Sequence, residues 1–332
     1  MKSSSSKSLL KCTISAALLI LTIATVVIWI AAGQLAQPTR RPLQDYQRDW
    51  FLHPNAHGIL LSSEQCDYGR VPCLLVAPDA EAKPGNRGVV LRGQLAKMGS
   101  KLLPYGQTRG ILVLLHGRNG RKEDLLPVAE RFAAAGFKCV IPDLPAHGDS
   151  PVNHVRFSAD SFERDIAVHV LEDARRFFHE PDAPAGIWGL SMGGAFAIHA
   201  VSDAPNQWRA MIIVSSFDTL QGVVEDKLSP LPAILSGPFS TALAHLTQYR
   251  GGSDLHLVRP DLWASHITLP VFIAHGDSDP LISLNHGRRL FEAFPGPDKT
   301  WTIVPGADHY NILVTDMPLY ARMSAWLAVY FR

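Results

Sequence analysis

One-sided charge is what this sequence lacks. Lys and Arg number 31 against 30 Asp and Glu, a formal net charge of +1 over 332 residues. No Lys/Arg cluster marks a helix face, so the electrostatic footprint of nucleic-acid binding is missing and no nucleic-acid partner is expected. Cysteine is scarce too. The four Cys form no paired CxxC, and the 14 scattered His form no HExxH. That spacing offers no metal site, and neither metal nor cofactor is expected. There is no internal repeat. What remains is a chain that is 47% hydrophobic, enough for one large α/β domain of about 250 residues with a well-filled core, plus additional segments.

Charge also vanishes locally. After Lys2, Lys7 and Lys11 the next charged residue is Arg40. Between them "ISAALLILTIATVVIWIAA" runs from Ile14 to Ala32, 19 residues of mostly Leu, Ile, Val and Ala. As a helix it spans ~28 Å, close to the hydrocarbon thickness of a bilayer. Two readings stand. One is a retained membrane anchor with the lysines inside, which puts the rest of the chain outside the cytoplasm. The other is a cleaved signal sequence ending near Ala31-Ala32-Gly33, leaving a secreted domain; the run exceeds the usual apolar core of about 7–15 residues. A buried core helix is disfavoured because the run has no polar face. Arg40 and Arg41 on the far flank weaken the charge asymmetry that sets orientation.

Cys66 and Cys73 bracket "CDYGRVPC", a short polar loop. In an oxidising compartment they can close a disulfide; otherwise they are two thiols near a surface turn. Cys139 lies in the apolar "FKCVI" and reads as a small core residue, and Cys12 receives no role.

Residues 1–33 thus form the anchor or signal, and 34–57, with Pro, Gln and Arg but little periodicity, read as a linker. From 58 to 332 apolar runs alternate with helical patterns. "GVVLRGQLAKM" (about 88 to 98) contains a β-like run that, with "CLLVAP", suggests a strand pair at the leading edge of a sheet. "GILVLLHG" is a near-continuous apolar run, as for a strand buried on both faces. "KEDLLPVAERFAAAG" follows with Leu125, Val128, Phe132 and Ala135 on one helical face and Gly136 to end it. "FKCVIPDLP", "AGIWGL", "RAMIIVSSF", "PVFIAHGD" and "TWTIVPGADH" supply further strands, and "PLYARMSAWLAVYF" a closing helix. The alternation predicts a mostly parallel sheet with helices on both faces.

Ser191 sits in "GLSMGG", between a short strand and a helical run. A nucleophile on so tight a turn needs small residues two positions either side, and Gly189 and Gly193 provide them. The helix that follows points its free amides at the site. A serine hydroxyl is a weak nucleophile until a histidine takes its proton, and the histidine needs a carboxylate to fix its tautomer. "TIVPGADHYN" supplies His309 after the last strand, and "HGDSDPLI" supplies Asp279, with Asp277 as its rival. The backbone N–H groups of Met192 and Arg118 are the natural donors to an oxyanion. His116 reads as a structural histidine, and the Arg118 side chain as solvated, with contact to an acidic substrate group as the alternative.

In that order "HGRNG", "DLPAHGDS", "GLSMGG", "HGDSDPLI" and "GADH" resemble the α/β-hydrolase superfamily, nearest its serine aminopeptidase/monoacylglycerol-lipase-like branch, over roughly residues 88 to 330. The resemblance implies an α/β-hydrolase fold with a helical cap inserted before the acid-bearing strand. It also implies a Ser191–His309–Asp279 triad, Asp279 being the aspartate three residues after a glycine. Asp143, His147 and Asp149 then belong to a structural turn. Asp308, where "GAGH" is common, is an unexplained extra charge beside the base.

The cap corresponds to residues 218 to 267, about 50 residues rich in Leu, Pro and Ser, too long for a simple connection. Its apolar residues (Leu231, Ile234, Leu235, Phe239, Leu243) suit an acyl group or pack the lid on the body. The expected function is cleavage of a small-molecule carboxylic ester through an acyl-enzyme. A peptidase or acyltransferase with the same residues, or a non-catalytic binding module on the same fold, are the alternatives. Oligomeric state leaves no signature.

Overall fold

A computed structural model of the chain describes residues 3–158, 160–315 and 318–332; Lys2, one of the three lysines noted above, lies outside them. The apolar runs become strands β1 (Ile59–Cys66), β2 (Val71–Pro78), β3 (Gly110–Leu115), β4 (Phe137–Pro142), β5 (Ala185–Leu190), β6 (Ala210–Val214), β7 (Val271–Gly276) and β8 (Lys299–Val304). They form one eight-stranded sheet in the order β1-β2-β4-β3-β5-β6-β7-β8. β2 pairs antiparallel with β1 and β4, and the other pairs are parallel.

β3, β6 and β7 are buried at every position, which is why they read as unbroken apolar runs. Alternate side chains enter two cores, one on each face. Ile111, Val113, Leu115, Ile187 and Ile213 face one; Leu112, Leu114, Trp188, Ile212 and Val214 face the other. Helices α3 (Asn86–Lys97), α4 (Leu126–Ala134) and α12 (Pro318–Tyr330) cover the second face, while α5 (Ser161–Phe177), α6 (Met192–Asp203) and α10 (Leu284–Ala293) cover the first. This is the α/β-hydrolase fold.

One expected strand is a helix. Residues 88–97 lie in α3, with Met98 as its C-cap, and the partner of "CLLVAP" is β1. The β-branched Val89 and Val90, which suggested a strand, face solvent, while Gly88, Leu91 and Leu95 are buried at helical spacing. Gly88 is where α3 meets α4: a Cβ there would stand 2.9 Å from that of Ala134. Cys66 and Cys73 form a disulfide that closes the β1–β2 hairpin.

Between β6 and β7 the chain builds α7 (Leu220–Leu228), α8 (Ala233–Tyr249) and α9 (Pro260–Ala264). Leu220, Val224, Leu243, Ala244, Val258 and Ala264 join the same core as Met192 and Phe217 of the body. The N-terminal run is one helix, α1 (Ser3–Ala36), of which Ile14–Ala36 is long and apolar enough to cross a membrane. Its last turns are not free. Ala32 and Ala36 are fully buried, and the stretch read as a linker is packed on the body and carries a helix, α2 (Asp45–Leu52).

Candidate active site

Ser191 occupies the single residue between β5 and α6, with φ 54° and ψ −117°. A non-glycine residue is held there only when its surroundings over-determine it, at a cost of ~1–3 kcal/mol. They do so here. The Ser191 N–H donates to the Val214 carbonyl at 2.8 Å, and its own carbonyl accepts from the Gly194 N–H at 2.9 Å and the Ser216 hydroxyl at 2.8 Å. The flanking glycines are sterically required. A Cβ on Gly189 would stand 2.3 Å from the Gly193 carbonyl oxygen, and one on Gly193 2.2 Å from that of Leu115. Met192 opens α6, so its N–H has no acceptor within the helix.

Asp279 and His309 follow β7 and β8, and the structure brings them together: His309 Nδ1 donates to Asp279 Oδ2 at 2.7 Å. The other carboxylate oxygen accepts from the Leu281 and Ile282 amides, each at 2.9 Å. Burial alone would raise the Asp279 pKa, but the His309 contact and the two amides outweigh it and hold the group below the ordinary value. Beneath it lies His275, which donates from Nε2 to the Ile282 carbonyl at 2.9 Å; burial lowers its pKa and keeps it neutral. No hydrogen bond joins Ser191 Oγ to His309 here. Such contacts are commonly long before substrate binds.

Asp277 faces elsewhere, accepting from the Gly306 N–H at 2.7 Å and the Ser278 hydroxyl at 3.0 Å. Asp308, the extra charge beside the histidine, accepts from the Tyr310 and Asn311 amides at 2.8 Å and so fixes the turn that carries His309.

The loop after β3 lies against the serine: a Cβ on Gly117 would stand 3.4 Å from that of Ser191. His116 is structural, as expected. It accepts at Nε2 from the Leu144 N–H at 3.1 Å, and Nδ1 lies 2.8 Å from the Gly117 carbonyl, to which it donates. Burial lowers its pKa to about 4, so it carries no charge at neutral pH. The Arg118 side chain is half-buried rather than wholly solvated. It donates from Nη2 to the Gln34 carbonyl at 2.6 Å.

Asp143 and Asp149 anchor the same loop. Asp143 accepts from the Lys122 N–H at 2.8 Å, Lys122 Nζ at 2.7 Å and the Asp149 N–H at 2.8 Å; Asp149 accepts from Lys122 Nζ at 2.5 Å. Burial opposes the Lys122 charge, but Asp143, Asp149 and Glu123 overcome it and raise its pKa. Sequence reading missed Ser216, the brace under the Ser191 carbonyl, because "VSSF" reads simply as the end of a strand. It also missed Asp218, which binds His286 and Arg289 of α10 beside the root of α7. A lone aspartate after a strand carries no signal of such a partner.

Residues 106–259 match the family model described as serine aminopeptidase, S33. The chain is 25% identical over 252 residues to a monoglyceride lipase of Rattus norvegicus, covering 65% of this chain and 79% of that protein. It is 25% identical over 240 residues to a monoacylglycerol lipase of Mycolicibacterium smegmatis, covering 62% and 83%. Among solved structures, the Pyrococcus furiosus esterase Pf2001 superposes with a TM-score of 0.61 at 14% identity, over 90% of this chain and 99% of that one. That likeness shows the fold. The chain has the α/β-hydrolase fold and is an esterase/lipase-like hydrolase, similar in sequence to the serine aminopeptidase family model and to the monoglyceride lipases.

Proposed function

We propose that the protein hydrolyses carboxylic esters with Ser191 as nucleophile, His309 as general base and acid, and Asp279 as the group that orients His309. Ser191 Oγ attacks the ester carbonyl while His309 Nε2 takes its proton. The N–H groups of Met192 and Arg118 receive the developing oxyanion, a contribution worth about 10²–10³ in rate per donor. The C–O bond then breaks, His309 returns the proton to the leaving alkoxide, and the acyl group stays on Ser191. Water, deprotonated by His309, completes the cycle. The observation that carries this reading is the strained Ser191 turn on the same sheet edge as the Asp279–His309 pair. Labelling by a fluorophosphonate and turnover of p-nitrophenyl esters, both lost in Ser191→Ala, test it.

We read residues 218–267 as the cap and α1 as a retained anchor, with the hydrolase outside the cytoplasm; the Cys66–Cys73 disulfide suits an oxidising compartment. The cap supports a lipid ester delivered from the bilayer, in keeping with the monoglyceride lipases among its relatives. Trp29 packs on Tyr249, with ring centroids 6.2 Å apart, and Arg250 lies 4.5 Å over the Trp29 ring. Gly33 abuts Arg250, and Ala36 abuts Gly252. These contacts set the C-terminal end of α8 and the turn after it beside the last turns of α1. The chain that leads into this contact is largely apolar. It carries no Asp, Glu, Lys or Arg between Lys227 and Arg250, and Ile234 and Leu235 are exposed rather than folded over Ser191. Trp, Tyr and Arg at the far end suit the lipid–water boundary.

A further inference from the structure

The end of the membrane helix and the five residues that follow it are tied to the loops beside the site, mostly by main-chain acceptors. Ala36 accepts at its carbonyl from the Val155 N–H at 2.9 Å. Arg40 donates to the carbonyls of Ser150 at 2.5 Å and Val152 at 2.7 Å. Arg41 donates from Nε to the Asn119 carbonyl at 2.6 Å and pairs with Asp124, while Arg121 donates to the Arg41 carbonyl at 3.1 Å. Asn119, Arg121 and Asp124 all belong to the loop that begins at Gly117.

Arg118 completes the set. Its guanidinium reaches back to the Gln34 carbonyl at 2.6 Å, at the C-terminal end of α1, where the last carbonyls of a helix lack internal donors and carry partial negative charge. Its Nε is buried without a partner. Burial depresses the Arg118 pKa. A cation so placed is costly unless the carbonyl end it meets is held in register with the loop.

We propose that the end of the membrane helix is part of the oxyanion apparatus: the Arg118 side chain, seated on the Gln34 carbonyl, is a positioning residue that fixes the direction of the Arg118 backbone N–H. Residues 34–41 are thus a strut between anchor and active site, and removing the anchor at Ala32 or Gly33 would leave Gln34 but strip away the helix that holds its carbonyl under Arg118. The inference rests on the reading of Ser191 as nucleophile and the Arg118 N–H as oxyanion donor.

The test uses the full chain in detergent, as wild type, Arg118→Ala, Arg118→Lys and Ser191→Ala. Readouts are kcat and KM on a soluble p-nitrophenyl ester, affinity for a trifluoromethyl ketone that forms the tetrahedral adduct, and melting temperature. In Arg118→Ala, kcat and ketone affinity are expected to fall together by about 10- to 100-fold, with KM within about twofold and an unchanged melting temperature. Millimolar guanidinium restores part of the kcat, and Arg118→Lys shows the same pattern at smaller size. Wild-type kcat and ketone affinity in both variants would overturn the proposal. So would a rise in KM alone, which assigns Arg118 to substrate contact, or a loss of kcat that tracks a lowered melting temperature, which makes the residue purely structural. Activity persisting in Ser191→Ala would instead sink the underlying reading, whatever Arg118 does.

Discussion

The Asp279 carboxylate is held from both sides: one oxygen by the amides of Leu281 and Ile282, the other by His309 Nδ1 at 2.7 Å. An aspartate fixed in this way imposes one tautomer on the imidazole and leaves Nε2 free to accept a proton. Asp279→Asn removes that constraint, and kcat is expected to fall by about 10³- to 10⁴-fold with the fold intact. Asp277→Asn, whose side chain serves only the Gly306 turn and Ser278, is expected to stay within a few-fold of wild type. Steady-state kinetics on the two variants decide between the carboxylates; the reverse ranking would move the role to Asp277.

The turn at Ser191 depends on a backbone that leaves no room for a side chain at Gly193. Gly193→Ala sets a methyl group against the Leu115 and His116 carbonyls and is expected to destabilise the protein by at least about 2 kcal/mol, because only main chain can move. Denaturant unfolding measures this. Gly237→Ala, where a Cβ meets nothing within 4 Å inside α8, is the control and should unfold no earlier than wild type, with a gain of up to about 1 kcal/mol from helix propensity.

Asp218 links the start of the β6–α7 connection to α10 through His286 and Arg289. Burial opposes its charge, yet the two partners lower its pKa to about 2. A carboxylate whose folded pKa is depressed contributes stability above its unfolded value of about 3.9, and that contribution is lost as pH falls toward 2. Asp218→Asn is therefore expected to destabilise at pH 7 and to show a flatter loss of melting temperature between about pH 4 and pH 2. Thermal unfolding across that range reads the difference. Parallel curves for the two proteins would contradict it.

A chain begun at Leu43 keeps every predicted site residue but loses Ala36, Arg40 and Arg41, and with them the contacts to Val155, Ser150, Val152 and Asn119. Three or more hydrogen bonds of ~1 kcal/mol each correspond to a melting temperature lower by about 5 °C or more than in a chain begun at Ile28. Equal melting temperatures would mean the segment is an ornament.

The sequence made the sheet legible because β3, β5, β6 and β7 are buried on both faces and show as unbroken apolar runs. The Ser191 turn was legible for a similar reason, since its glycines are dictated by backbone contact within a few residues. α3 was misread because Val89 and Val90 face solvent, so that β-branched residues outweighed the helical spacing of Gly88, Leu91 and Leu95. Residues 34–41 read as a linker because their partners are carbonyls about 80 to 110 positions away, and a carbonyl has no residue type to recognise. Long-range partners hid Asp218 in the same way.

The most direct measurement of the central claim is fluorophosphonate labelling of the full chain and of Ser191→Ala, with the labelled residue identified by peptide mass spectrometry and p-nitrophenyl ester turnover followed alongside. One adduct is expected, on Ser191, with labelling and turnover both absent from the variant. An adduct on another residue, or turnover that survives in Ser191→Ala, would contradict it.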